Sequence, residues 1–141
     1  MIEFDEAVVV PTGSTLLGDF AIGVAATLAA LGVWLAWAQV GGVDLMVRSA
    51  DVVREVGAMS VAMTALVVSA AGVLLARLLE SWLPRGLRWW TVVACAVCAA
   101  SMVGPLGATT VAAGIGLTTL HALVGAIVVF GVRQVHRAGS A

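Results

Sequence analysis

Four ionisable residues, Asp44, Arg48, Asp51 and Glu55, follow one another at four-, three- and four-residue intervals within one short segment. On a helix this spacing puts Asp44 beside Arg48, Arg48 beside Asp51, and Asp51 beside Arg54, so the charges can be paired along one face. Val43, Met46, Val47, Ala50 and Val53 fall on another face, and the periodicity predicts a short amphipathic helix over 42–56. Two carboxylates in different surroundings can divide acid and base roles. With Arg48 to hold a developing negative charge, Asp44 and Asp51 have the residue types needed to activate a water or open a strained ring. That chemistry requires the segment to fold back over an open end of the helices. The competing reading is an interfacial helix, solvated on one face and resting on lipid with the other.

His121 is the second candidate, because it lies near the middle of a long apolar run, and an ionisable group at that depth is either functional or a polar tie between helices. For the tie, Ser69, Ser101 or a neighbouring carbonyl would be its partner. Thr109, Thr110, Thr118 and Thr119 share its run, which opens a polar track from the chain's outer mouth to His121 through Thr118. A site built this way takes Asp44, Arg48, Asp51 and His121 as catalytic residues, with Trp34, Trp37, Glu55 and Thr118 lining the substrate.

Other chemistries fit less well. Cys95 and Cys98 form a C-x-x-C, but with no further Cys for electron relay and an apolar setting they read as small packing residues rather than a redox pair. Haem ligation would need a second intramembrane His, and His136 lies in a basic tail. Neither zinc-ligand spacing nor a phosphate-binding glycine loop is present, so no metal or cofactor is expected. A net charge of −1 and the lack of a basic run argue against nucleic acid.

The elements that must position these residues are set by hydropathy. The chain is 62% hydrophobic and 11% charged over 141 residues, a composition suited to lipid rather than water. Apolar runs of spanning length cover Leu16–Val40, Val56–Leu79, Trp89–Leu106 and Thr109–Val132. The short connections predict an all-α, antiparallel four-helix membrane bundle forming a single domain. Gly18, Ala21, Ala25, Ala29 and Gly32 make a small-residue stripe expected to be the first helix's packing face. Ala94 and Cys98, with Cys95 and Ala99, would serve the third in the same way. All five Trp fall near span ends, where headgroup-level indoles are expected. With both termini cytoplasmic, Arg77, Arg85, Arg88, Arg133 and Arg137 lie inside and Arg48 and Arg54 outside, the orientation that the basic-residue rule favours. Asp19 reads as a headgroup-level carboxylate near a helix start. The acidic stretch Met1–Glu6 is unlike a secretory leader, and no lipidation motif accompanies it.

The run Ser101-Met-Val-Gly-Pro-Leu106, His121 in mid-helix, Val43-Asp44-Leu45, and Leu75 to Glu80 with its Leu-Leu-Glu end are a recognisable set. In these the chain resembles an uncharacterised family of small four-helix membrane proteins from actinobacteria, over roughly Leu16 to Arg133. It departs at Leu120, where the family pattern has Met. The resemblance implies the fold and no activity.

Two functional classes follow. One is a membrane-embedded enzyme that isomerises, cyclises or hydrates a lipophilic molecule such as a terpenoid or polyketide by acid–base rather than redox chemistry. The other is a non-enzymatic protein of the bacterial cytoplasmic membrane, either an accessory subunit or a small oligomeric transporter. They differ in one structural requirement, since only the enzyme needs its polar groups to converge on a cavity.

Overall fold

The computed structural model describes residues 13–49 and 51–139. The acidic stretch Met1–Glu6 and Ala50, assigned above to an apolar helix face, lie outside the described residues. The structure is predominantly helical: α1 (Gly13–Leu35), α2 (Ala58–Trp82), α3 (Gly86–Ser101) and α4 (Val111–Gly139) carry four segments long and apolar enough to cross a membrane. A π-helical turn, Ala36–Val40, extends α1, and a 3-10 turn, Gly104–Gly107, joins α3 to α4. Helical segments satisfy their own backbone polar groups, which hydrocarbon cannot do for them. Large apolar side chains such as Phe20, Leu74, Val97 and Phe130 stand exposed on all four helices. In water such surface would be costly; among lipid tails it is neutral. The chain is therefore a multi-pass membrane protein.

Residues 42–56 depart from the expected amphipathic helix. They form a β-hairpin, with β1 (Met46–Ser49) antiparallel to β2 (Val52–Glu55) and Met46 opposite Glu55. Three physical reasons account for the difference. Val43, Val47, Val52, Val53 and Val56 are β-branched, which favours strand over helix. A segment this short is a marginal helix without tertiary support. Finally, its backbone groups are used by neighbours: the Trp34 indole donates to the Val56 carbonyl at 2.7 Å, and the Thr109 amide donates to the Met46 carbonyl at 3.1 Å. A helix over this segment would consume the Met46 carbonyl internally. Gly42, at φ +61°, makes the left-handed turn that leads from the π-helical turn into the hairpin.

Two apolar clusters hold the helices together. Near the hairpin, Ala30, Val61, Ala65, Ala113, Leu117 and Leu120 surround Leu45, which the hairpin's root inserts among them. Farther along, Ile22, Ala26, Ala76, Val128 and Val132 pack with Trp90. Val124 touches both clusters.

The packing face of α1 is not the expected stripe. Ile22, Gly23, Ala26 and Ala30 are buried, whereas Ala21, Ala25 and Gly32 are exposed. Of the stripe, Gly18 does meet α4: a Cβ built there would lie 2.8 Å from Val135 Cγ2. The reason is that α1 is rich in small residues all round, so close approach is sterically open on several faces. Ile22, Val33, Trp34 and Trp37 then select the buried one by contributing apolar contact. On α3, Ala94 and Cys98 are partly buried as expected, while Cys95 and Ala99 are exposed.

The aromatic assignment is corrected in part. Trp82 and Trp89 are exposed, but Trp90 is fully buried and its indole donates to the Gly72 carbonyl at 2.8 Å. Trp34 and Trp37 are half-buried against the hairpin cluster.

Candidate functional site

The hairpin displays its charge outward. Asp44, Arg48, Asp51, Arg54 and Glu55 are all exposed, with Asp51 at the turn between the strands. In the strand register Arg48 faces Val53, and Arg54 faces Val47, so cross-strand neighbours are apolar rather than opposite in charge. Among the described residues no ion pair joins any of these groups. The helical pairs Asp44–Arg48, Arg48–Asp51 and Asp51–Arg54 required a helix and are absent with it. Leu45, between Asp44 and Met46, is buried and fills the end of the helices that would otherwise be open.

His121 is half-buried on α4, and its Nδ1–H donates to the Leu117 carbonyl one turn back, at 2.8 Å. The proposed partners are engaged elsewhere within their own helices: Ser69 Oγ donates to the Ala65 carbonyl and Ser101 Oγ to the Cys98 carbonyl, each at 2.7 Å. Thr118 and Thr119 likewise donate to the carbonyls of Gly114 and Ile115 at 2.8 Å. These threonines line an open groove of about 540 Å³ with Thr109, Thr110 and the Pro105–Leu106 turn. Neither His121 nor any of the four hairpin residues, Asp44, Arg48, Asp51 and Glu55, lines it. The structure thus brings Thr118 to a groove, Trp34 and Trp37 to the hairpin's root, and the hairpin charges to the surface. It does not gather the eight candidate residues around one cavity.

The side-chain to side-chain polar contacts between helices lie at the other end among the described residues, and hydropathy alone did not pair them. Arg77 Nη2 and Nε both donate to Asp19 Oδ2, at 2.7 and 3.2 Å, tying α2 to α1. Glu80 on α2 contacts His136 on α4, whose Nδ1–H also donates to the Val132 carbonyl at 2.7 Å. Arg133 donates to Thr91 Oγ1 at 3.3 Å, joining α4 to α3. The available signal was depth. Asp19 lies near the start of the first span and Arg77 near the end of the second, so a short connection brings them level. His136 is thereby part of a contact between helices rather than of a free tail. Among the described residues no group of three or more His, Cys, Asp and Glu has metal-site geometry.

Four apolar spans, a surface-exposed hairpin and, among the described residues, charge ties at the opposite end define a small multi-pass membrane protein. A family model matches residues 11–138, and the chain belongs to that family, a family of unknown function (DUF6069). No curated protein and no solved structure matches it.

Proposed function

We infer that the protein is a non-enzymatic accessory subunit of a bacterial, actinobacterial cytoplasmic membrane, folded as an antiparallel four-helix bundle with both termini inside. The observation that carries this reading is the outward display of Asp44, Arg48, Asp51, Arg54 and Glu55 over an exposed hairpin whose apolar root is buried. A charged surface on a well-anchored support suits recognition, whereas acid–base catalysis needs convergence in a partly dry pocket. Support comes also from α1: Ala21, Ala25 and Gly32 face away from the other helices, and small residues on a lipid-exposed face admit close approach of a further helix. The enzyme reading for a lipophilic substrate remains the alternative and predicts a different outcome.

A photo-reactive residue introduced at Ala25, and separately at Val53, tests the proposal in the native host. Adducts of one defined mass from both positions, lost when Gly32 is replaced by Leu, are the expected result. Adducts with lipid alone would remove the docking reading. The enzyme alternative is tested by Asp44→Asn, Asp51→Asn and His121→Ala: loss of a host product with unchanged adducts would favour catalysis.

A further inference from the structure

We propose that the groove between α3 and α4 at the far end from the hairpin binds the phosphate headgroup of an anionic phospholipid, held by Arg133 and Arg137. The groove encloses about 330 Å³ and is lined by Thr91, Val129, Phe130, Arg133, Gln134 and Arg137. Arg133 and Arg137 are one helical turn apart, so both guanidinium groups face the same opening. Arg133 is held over it by the Thr91 hydroxyl, which itself donates to the Leu87 carbonyl at 2.8 Å.

Charge balance is what singles these two out. The carboxylates described at this end are already engaged, Asp19 by Arg77 and Glu80 by His136. Among the described residues no carboxylate reaches Arg133 or Arg137. A guanidinium has five N–H donors, and one bond to a hydroxyl leaves Arg133 with most of its capacity and all of its charge unmatched. A basic residue in the last turn also complements the helix dipole, but that effect requires neither a groove nor a second wall.

The apolar end of the groove identifies the ligand. Below the two cations the groove is apolar, through Val129 and the largely exposed Phe130. A site cationic at one end and apolar at the other matches a phosphodiester with an acyl chain beneath it, and basic pockets between transmembrane helices bind such headgroups. Depth agrees: Thr91 lies two residues after Trp89, which is exposed, as is Trp82 nearby in the chain, and exposed indoles mark headgroup level.

The test is native mass spectrometry of the full chain in an uncharged detergent, with equimolar phosphatidylglycerol and phosphatidylcholine of identical acyl chains. Preferential retention of phosphatidylglycerol is expected. Arg137→Gln, at an exposed position that should not disturb folding, lowers that retention about fivefold, and adding Arg133→Gln lowers it by roughly 25-fold in all, following the contribution of each basic residue near an anionic surface. Arg85→Gln with Arg88→Gln, at the start of α3 and not lining the groove, leaves it unchanged. Equal retention of the two lipids, or an equal loss in the Arg85/Arg88 variant, would overturn the proposal. Displacement of phosphatidylglycerol by equimolar inorganic phosphate would also overturn it, because the site would then hold the free anion.

Discussion

Asp19 and Arg77 show how much a single polar contact does in an apolar setting. Both Arg77 nitrogens converge on one carboxylate oxygen, so either side chain alone leaves a charge in a partly desolvated place. Asp19→Ala and Arg77→Ala should each lower the melting temperature in mild detergent. The double variant should lose less than the sum, with a coupling of about 1 kcal/mol, within the range measured for polar contacts between membrane helices. Gly125 sets a steric limit of a different kind. A Cβ there would lie 2.6 Å from Cys98 Sγ, so α3 approaches α4 only because the side chain is hydrogen. Gly125→Ala should therefore destabilise by about 1–3 kcal/mol. Adding Cys98→Ala should restore most of the loss, because the nearest remaining atom, Cys98 Cβ, is at 3.6 Å. A thermal-melt series of Gly125→Ala, Cys98→Ala and the double variant checks both claims.

At the scale of elements, the hairpin separates structural from displayed residues cleanly. Leu45 is 2% exposed and sits within the upper apolar cluster, and Leu45→Ala should cost about 2–4 kcal/mol, the usual range for a buried Leu. Asp44→Asn, Asp51→Asn and Glu55→Gln change exposed groups with no described partner and should each stay within about 0.5 kcal/mol of the parent. Melting curves showing a large loss from any of the three would mean that the carboxylates hold the fold. Trp34→Phe removes only the indole donor to Val56 and should raise the amide exchange of β2 while leaving α2 protected.

For the whole molecule, the proposed orientation rests on the distribution of Arg. Arg77, Arg85, Arg88, Arg133 and Arg137 oppose Arg48 and Arg54, and the richer side should stay in the cytoplasm. In a variant with Cys95 and Cys98 replaced by Ala, a cysteine at Asp51 should react with an impermeant thiol reagent added to intact cells, and one at Arg85 only after lysis. The reverse pattern would invert the assignment and move the hairpin, with its docking role, to the cytoplasmic side.

Span number and approximate position were legible in the sequence, because bilayer thickness demands about 20 apolar residues per crossing whatever the neighbours do. The residues of interest were legible as types: Asp44, Arg48, Asp51 and His121 stand out wherever the background is apolar. Their grouping was not, because charge spacing in 42–56 fits a helix as well as a strand pair until Leu45, Trp34 and Thr109 compete for the segment's side chains and backbone. The buried face of α1 was hidden in the same way, since Gly18, Ala21, Ala25, Ala29 and Gly32 offer close approach no more than Gly23, Ala26 and Ala30 do. Sequence by itself determined the solvent, through hydropathy that each span carries locally. Tertiary structure decided what faces what, including the ties from Asp19 to Arg77 and from Glu80 to His136, because those contacts depend on residues 58 and 56 positions apart.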